Sequence, residues 1–219
     1  MVAWQEIESV LLDMDGTLLD KEFDDYFWEE LVPEKFAETT GVPIAEAKER
    51  LYAAFRATEQ TLAWTDLDYW SKEIGLDIVS LKQEIRGRVK VHPGVEPFLR
   101  FVREKGKKIA LVTNAHPKTV QIKLGQTNLS PYLDIILCSS DIGLPKEEVR
   151  FWEGAQAALE FDKERSLFVD DNETVLFAAQ AFGIRHLFFK TDASSRILRE
   201  GSKHFQSIRH FGELLPLSP

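Results

Sequence analysis

An α/β architecture, a doubly wound parallel sheet split by one block of helices, follows from three features of the chain. Short apolar runs at 10–12, 109–112, 135–137 and 167–169 stop abruptly, three of them at carboxylates, a hydroxyl or an amide. Such runs read as buried parallel strands whose carboxyl ends open onto a site. Amphipathic stretches alternate with the runs from His92 onward, the order that builds a parallel sheet with crossover helices. The third feature is a gap: residues 21–89 hold no strand-like run.

The first run leads through Asp13-Met14-Asp15-Gly16-Thr17, where Gly16 allows a sharp turn. After Asp20 the texture is helical. Phe23, Tyr26, Phe27 and Leu31 recur at helical spacing. A second helix starts near Val42-Pro43 and carries Ala45, Ala47, Leu51, Ala54, Phe55 and Thr58. A third carries Leu67, Tyr69, Trp70 and Ile74 and stops at Gly75. This segment has 15 acidic and 9 basic side chains, six of the nine net negative charges of the chain. It reads as a separate, acidic, aromatic-rich unit inserted into the sheet domain.

Beyond His92-Pro93-Gly94 the expected elements are a helix at 95–105 closed by Gly106, a strand at 108–112 ending in Thr113-Asn114, and a helix at 119–126. A strand follows at 133–138, then a helix at 150–159, a strand at 166–169 ending in Asp170-Asp171, a helix at 174–182 closed by Gly183, and a last strand at 184–189. The domain division is therefore 1–20 with 90–219 for the sheet, and 21–89 for the insert.

Composition narrows the function. The 219 residues are 44% hydrophobic, enough for a real core, and the net charge of −9 repels nucleic acid backbones and anionic membranes. No run is long enough to span a bilayer and no basic, apolar leader is present. The single cysteine, Cys138, closes an apolar run and reads as a core residue; a chain that cannot form an internal disulfide suits a reducing cytosol. A cytoplasmic protein, monomeric or weakly dimeric, is expected.

A parallel sheet brings its strand ends to one edge. That gathers Asp13 and Asp15, Thr113 and Asn114, and Asp170 and Asp171, with Lys146 joining from the loop Gly143-Leu144-Pro145-Lys146. A calcium loop of the EF-hand kind would need glycine where Leu18 stands, and a preceding helix. Four crowded carboxylates need a cation, and ligands that are all oxygen select a hard ion, Mg²⁺. A metal, a lysine and a hydroxyl around a carboxylate make a phosphate site. An ionised aspartate there can attack phosphorus, while Asp15, kept partly protonated by its neighbours, can protonate the leaving oxygen and then deprotonate water.

Asp13-Met14-Asp15-Gly16-Thr17 resembles the first motif of the haloacid dehalogenase superfamily. Thr113, Lys146 and Asp170-Asp171 match its second, third and fourth motifs in order. One departure is that Pro145 precedes the lysine and Glu147 follows it, where members usually have proline after the lysine. The resemblance implies a Rossmann-like core with a helical cap at 21–89, Asp13 as nucleophile, and Asp15 as general acid/base. It also implies Thr113 and Lys146 on the phosphoryl oxygens. The Mg²⁺ ligands would be Asp13, the backbone carbonyl of Asp15, Asp171, and Asp170 directly or through water. True dehalogenases lack the second aspartate, so Asp15 points to phosphate chemistry.

Phe23-Asp24-Asp25-Tyr26-Phe27-Trp28, Thr61-Leu62-Ala63-Trp64, Leu67-Asp68-Tyr69-Trp70-Ser71, Thr113-Asn114-Ala115-His116-Pro117 and Gly143-Leu144-Pro145-Lys146-Glu147 resemble the branch of the superfamily that dephosphorylates GMP and IMP. Met14, Thr17, Asn114 and His116, with Trp28 and Trp64 of the cap, are the expected substrate contacts. The cap aromatics can equally be cap packing, and His116 a surface turn residue. A sugar-phosphate phosphatase, a phosphomutase of the same superfamily, a phosphoacceptor signalling module and an idle binding protein are the alternatives. In a signalling receiver the paired acids come first in the sequence; here they come last.

Overall fold

In the computed structural model residues 2–197 and 200–216 are described; residues 1, 198–199 and 217–219 of the expected core lie outside the described residues. Strand β1 (Ser9–Leu12) opens the sheet domain. A helical block follows: α1 (Glu22–Tyr26), a π-helical turn (Phe27–Leu31), α2 (Val32–Thr40), α3 (Ile44–Thr58), α4 (Leu62–Thr65), α5 (Leu67–Ile74) and α6 (Ile78–Glu84). The chain then alternates: α7 (Val95–Glu104), β2 (Lys108–Thr113), α8 (Pro117–Leu124), β3 (Ile135–Cys138), α9 (Ser139–Ile142), α10 (Val149–Leu159), β4 (Ser166–Asp170), α11 (Glu173–Phe182), β5 (His186–Lys190) and β6 (Gln206–Ile208).

The six strands form one sheet in the order β3-β2-β1-β4-β5-β6, and every pairing is parallel. The order turns back at β1, so the crevice for a ligand lies beyond the ends of the central strands. Leu12 lies opposite Leu111 on one side and Val169 on the other, which carries Asp13, Thr113 and Asp170 to the same edge. Side chains alternate across the sheet. Val10, Leu12, Ile109 and Leu111 pack with Phe98, Leu99 and Val102 of α7. Leu11, Ala110, Val112 and Phe168 pack with Phe151 and Trp152 of α10 and Leu176 of α11. Burial on both faces explains why these strands are continuous apolar runs.

The helical block has its own core of Phe27, Leu31, Leu51, Phe55, Leu67, Trp70, Ile74 and Ile78. Its exit and return strands run side by side: Asp20 N–H donates to the Lys90 carbonyl at 2.9 Å, and His92 N–H to the Leu18 carbonyl at 2.9 Å. Helix α5 starts where Asp66 accepts from the N–H groups of Asp68 and Tyr69, and stops at Gly75 with φ 75°.

Several elements differ from expectation. The strand at His186–Lys190 is not the last, because β6 pairs with it at the sheet edge. Gln206-Ser207-Ile208 carries a single apolar residue, and so short an edge strand has no sequence period to announce it. Helix α6 is a further element that the sequence pattern does not predict. The first helix of the block is interrupted by the π turn at Phe27–Leu31, a distortion that favours functional sites. No helix among the described residues is long and apolar enough to cross a membrane.

Candidate active site

The end of β1 is a tight turn. The Met14 carbonyl accepts the N–H groups of Leu18 and Leu19 at 3.0 and 2.8 Å, and Gly16 N–H donates to the Leu19 carbonyl at 2.7 Å. Gly16 has φ 87°, and a Cβ there would lie 2.6 Å from Asp171 Oδ2. Only glycine fits both the backbone and the carboxylate beside it.

Asp13, 5% exposed, accepts a hydrogen bond from Lys146 Nζ on Oδ1 at 2.6 Å. Its Oδ2 is buried with no hydrogen-bond partner among the described residues. Lys146, 2% exposed, spends its other two protons on Asp170 Oδ2 at 2.7 Å and the Val112 carbonyl at 3.1 Å. Burial works against the Lys146 charge, but Asp13 and Asp170 outweigh it and raise its pKa. Burial raises the Asp170 carboxyl far above the usual range, helped by Asp13 and Asp171 and opposed by Lys146. Asp13, Asp170 and Asp171 each offer a carboxylate oxygen within 4.8 Å of the others. A buried oxygen-only triad with an unpartnered atom fits a hard divalent cation such as Mg²⁺.

The lysine loop is held by the end of β2. Asn114 Oδ1 accepts Lys146 N–H at 2.9 Å, while Asn114 Nδ2 donates to Glu147 Oε2 at 2.9 Å. Trp152 Nε1 donates to the Lys146 carbonyl at 3.0 Å. Glu147, in the place where proline would be usual, is therefore a clamp on the loop. Thr113 Oγ1 accepts from Ala115 N–H at 3.0 Å, which leaves its proton for another acceptor.

Asp15 accepts from Lys123 Nζ at 2.5 Å. Burial pushes its carboxyl up to about 6, with Asp24 and Asp13 adding to the rise and Lys123 opposing it. That range suits a group that must give and take a proton near neutrality.

A cavity of about 520 Å³ opens over this edge. The core lines it with Asp13, Asp15, Thr113, Asn114, His116, Lys146, Asp170 and Asp171, and the helical block with Asp24, Trp28, Phe55, Trp64, Trp70 and Lys82. The sequence-predicted residues are thus brought together, with two exceptions. Met14 and Thr17 are fully buried in the turn and do not line the cavity, unlike the other expected contacts. His116 caps α8 by accepting Lys118 N–H on Nδ1 at 3.2 Å, and its Nε2 lies 3.8 Å from Asp66 Oδ1 of the helical block. Trp28 and Trp64 both pack edge-to-face on Phe55, with centroids at 5.4 and 5.8 Å. Among the cap aromatics, Tyr26, Phe27 and Tyr69 stay off the cavity.

Sequence reasoning missed Phe55 as a wall residue, and missed the buried charges Asp24, Lys82 and Lys123. One signal was available: Lys123 sits three residues after Val120 and beside Leu124, on the apolar face of its helix.

A buried carboxylate pinned by a buried lysine, and an acidic triad at one edge of a parallel sheet, define a class. A family model described as haloacid dehalogenase-like hydrolase matches residues 7–183, and the chain belongs to that family. It is an enzyme of the phosphatase kind. The chain is 40% identical to the GMP/IMP nucleotidase YrfG of Escherichia coli over 215 residues, 98% of this chain and 97% of that one. It is 24% identical to a phosphorylated carbohydrates phosphatase of Thermotoga maritima, over 83% of this chain and 84% of that one. The crystal structure of an HAD phosphatase from Thermococcus onnurineus superposes with a TM-score of 0.80 at 24% identity, covering 95% of this chain and 96% of that one, a likeness of fold.

Proposed function

We propose that this protein hydrolyses purine 5′-monophosphates, GMP and IMP first, through an aspartyl phosphate on Asp13, with Mg²⁺ held by Asp13, Asp170, Asp171 and the backbone carbonyl of Asp15. The observation that carries the chemistry is the state of Asp13. One oxygen is pinned by Lys146 and the other is buried without a partner among the described residues. A carboxylate so fixed cannot turn away from an incoming phosphorus.

Asp13 forms a bond to phosphorus, the ester P–O bond to the 5′ oxygen breaks, and that oxygen takes a proton from Asp15. Water then loses a proton to Asp15 and adds to phosphorus. The P–O bond to Asp13 breaks, phosphate leaves, and both carboxyls return to their starting state. Lys146 holds Asp13 in place through one carboxylate oxygen and bridges it to Asp170. Thr113 has a proton to give a phosphoryl oxygen. Bound Mg²⁺ supplies positive charge against the phosphoryl oxygens.

Two observations support a purine nucleotide. The relative of 40% identity spans nearly the full length of both chains and is named for GMP and IMP. The wall over the phosphate end is aromatic, and a purine stacked on such a ring gains about 1–3 kcal/mol. Sugar phosphates are the second reading, on the name of the Thermotoga maritima relative. The protein is taken as cytosolic, on its single cysteine, and as a monomer or weak dimer. Phosphate release from matched panels of nucleoside monophosphates and sugar phosphates tests the substrate. A higher kcat/KM for hexose or triose phosphates would overturn the nucleotide assignment and leave the phosphatase chemistry standing.

A further inference from the structure

The four strand-edge motifs leave a second group of buried charges unused. Lys123 of α8 and Lys82 of α6 are each 1% exposed. Lys123 Nζ donates to Asp15 Oδ1 at 2.5 Å and to Asp24 Oδ2. The other Asp24 oxygen accepts from Lys82 Nζ at 2.9 Å. Lys82 Nζ in turn lies 4.4 Å from the Phe27 ring centroid and 5.5 Å from that of Trp28. A continuous chain thus runs from Asp15 at the strand edge, through Lys123 and Asp24, to the helical block that walls the cavity.

Burying a lysine side chain is costly unless its charge is paired, and an apolar residue would pack on this helix face without that cost. Asp24 already has Lys82, so what Lys123 adds is the contact with Asp15. We infer that Lys123 is a positioning residue for the acid/base Asp15, and that Asp24 and Lys82 tie this positioning to the cap. With Oδ1 held by Lys123, the proton delivered to the leaving oxygen sits on Oδ2. The carboxyl keeps one rotamer while substrate enters, and the same lysine fixes α1 of the cap through Asp24. Asp15 and Lys123 come from the core and Asp24 and Lys82 from the cap, so the hydrogen-bonded chain is complete only when the two are together.

This inference rests on Asp15 acting as the acid/base proposed above, and leaving-group dependence tests it. A 5′-alkoxide must be protonated as it departs, whereas p-nitrophenolate leaves without help. The value of kcat/KM reports the step in which the ester bond breaks. Lys123→Met is therefore compared with wild type on GMP and on p-nitrophenyl phosphate, with Asp15→Asn as the reference. The expected result is a loss of at least about 10-fold on GMP, a part of the roughly 10²–10⁴-fold that general acid/base catalysis supplies. The loss on p-nitrophenyl phosphate should stay within about three-fold, since that ester does not need the proton. Asp24→Asn should shift the ratio in the same direction by less.

Equal losses on both substrates would mark Lys123 as merely structural, and an unchanged GMP rate would likewise overturn the inference. If Lys123→Met does not fold, by circular dichroism and thermal melting, Lys123→Gln is read by the same ratio. If wild type cleaves p-nitrophenyl phosphate but not GMP, the nucleotide reading fails alone. Ribose 5-phosphate or another turned-over alkyl phosphate then supplies the ratio. Wild type that turns over no phosphate ester overturns both.

Discussion

The strand edge and the cap wall face the same cavity but are built differently. At the edge, each reactive side chain follows a strand whose ladder fixes its backbone. Each then has named partners: Lys146 for Asp13, Asn172 N–H and Lys146 for Asp170, Ala115 N–H for Thr113. In the wall, Trp28, Phe55, Trp64 and Trp70 come from four different helical segments and hold one another edge-to-face. The edge has little freedom to change its chemistry. The wall can change by swapping one ring, since ring packing is a matter of shape and not of fixed donors. On the function proposed above, reaction type belongs to the sheet and substrate choice to the insert.

The largest expected effect falls at the edge. Asp13→Asn should remove nearly all turnover, by at least about 10³-fold, while the fold survives, because the proposed mechanism places the covalent intermediate on Asp13. Wild-type phosphate release from this variant, with deamidation excluded by mass spectrometry, would break the comparison at its base. Lys146→Met should also lose activity and cost about 3–5 kcal/mol in urea unfolding, since it leaves Asp13 and Asp170 buried without their cation. Unchanged stability would mean the pair is not a fixed element of the edge.

Metal dependence is next. Chelation should abolish turnover and Mg²⁺ should restore it. Asp171→Ala should weaken Mg²⁺ binding more than Asp170→Ala, because Asp170 has both oxygens engaged by protein donors, Lys146 on Oδ2 and Asn172 N–H on Oδ1. Activation curves in Mg²⁺ for the two variants decide it, and the reverse order would contradict the ligand assignment.

In the wall the effects should be smaller and substrate-dependent. Trp64 is 37% exposed and lines the cavity, so Trp64→Ala leaves no large void. Its kcat/KM for GMP should fall by about 5- to 100-fold if it stacks the base, and much less for a small aryl phosphate. Equal losses would assign it to packing. The smallest effect concerns Cys138, at the end of β3 on the same edge but 4% exposed. Burial pushes its thiol up to about 11, with Asp141 adding to the rise. The folded thiol therefore stays protonated where an unfolded one has already ionised. Native labelling by iodoacetamide should be slow at pH 8 and accelerate only as pH approaches 11, and folding stability should fall as pH rises through the ordinary thiol range. Fast labelling at pH 8 would show that this strand end too is reactive.

The same contrast explains what can be read from the chain. Strands buried on both faces announce themselves as apolar runs, and their ends mark the edge, so Asp13, Thr113 and Asp170 are legible in the sequence alone. Glycine at position 16 is legible as a turn; that it also makes room for Asp171 follows only from the fold. Met14 and Thr17 share the first motif but turn inward, because the loop that displays Asp13 and Asp15 needs its own packing. Strand β6 is too short to show a period. Phe55 gives no sign of being a wall residue, since its helical spacing is that of any core phenylalanine. Lys123 and Asp24 meet across nearly a hundred residues of sequence, and no local pattern encodes such a pair.

The central claim is that Asp13 is the residue phosphorylated during turnover. It is tested most directly by rapid acid quench of the Mg²⁺-loaded enzyme with GMP, followed by peptide mass spectrometry. The expected result is a phosphoryl group on Asp13 in wild type, present at higher occupancy in Asp15→Asn when loaded with p-nitrophenyl phosphate, and absent in Asp13→Asn. Full turnover with no modification of Asp13, or with the phosphoryl group on another residue, would contradict it.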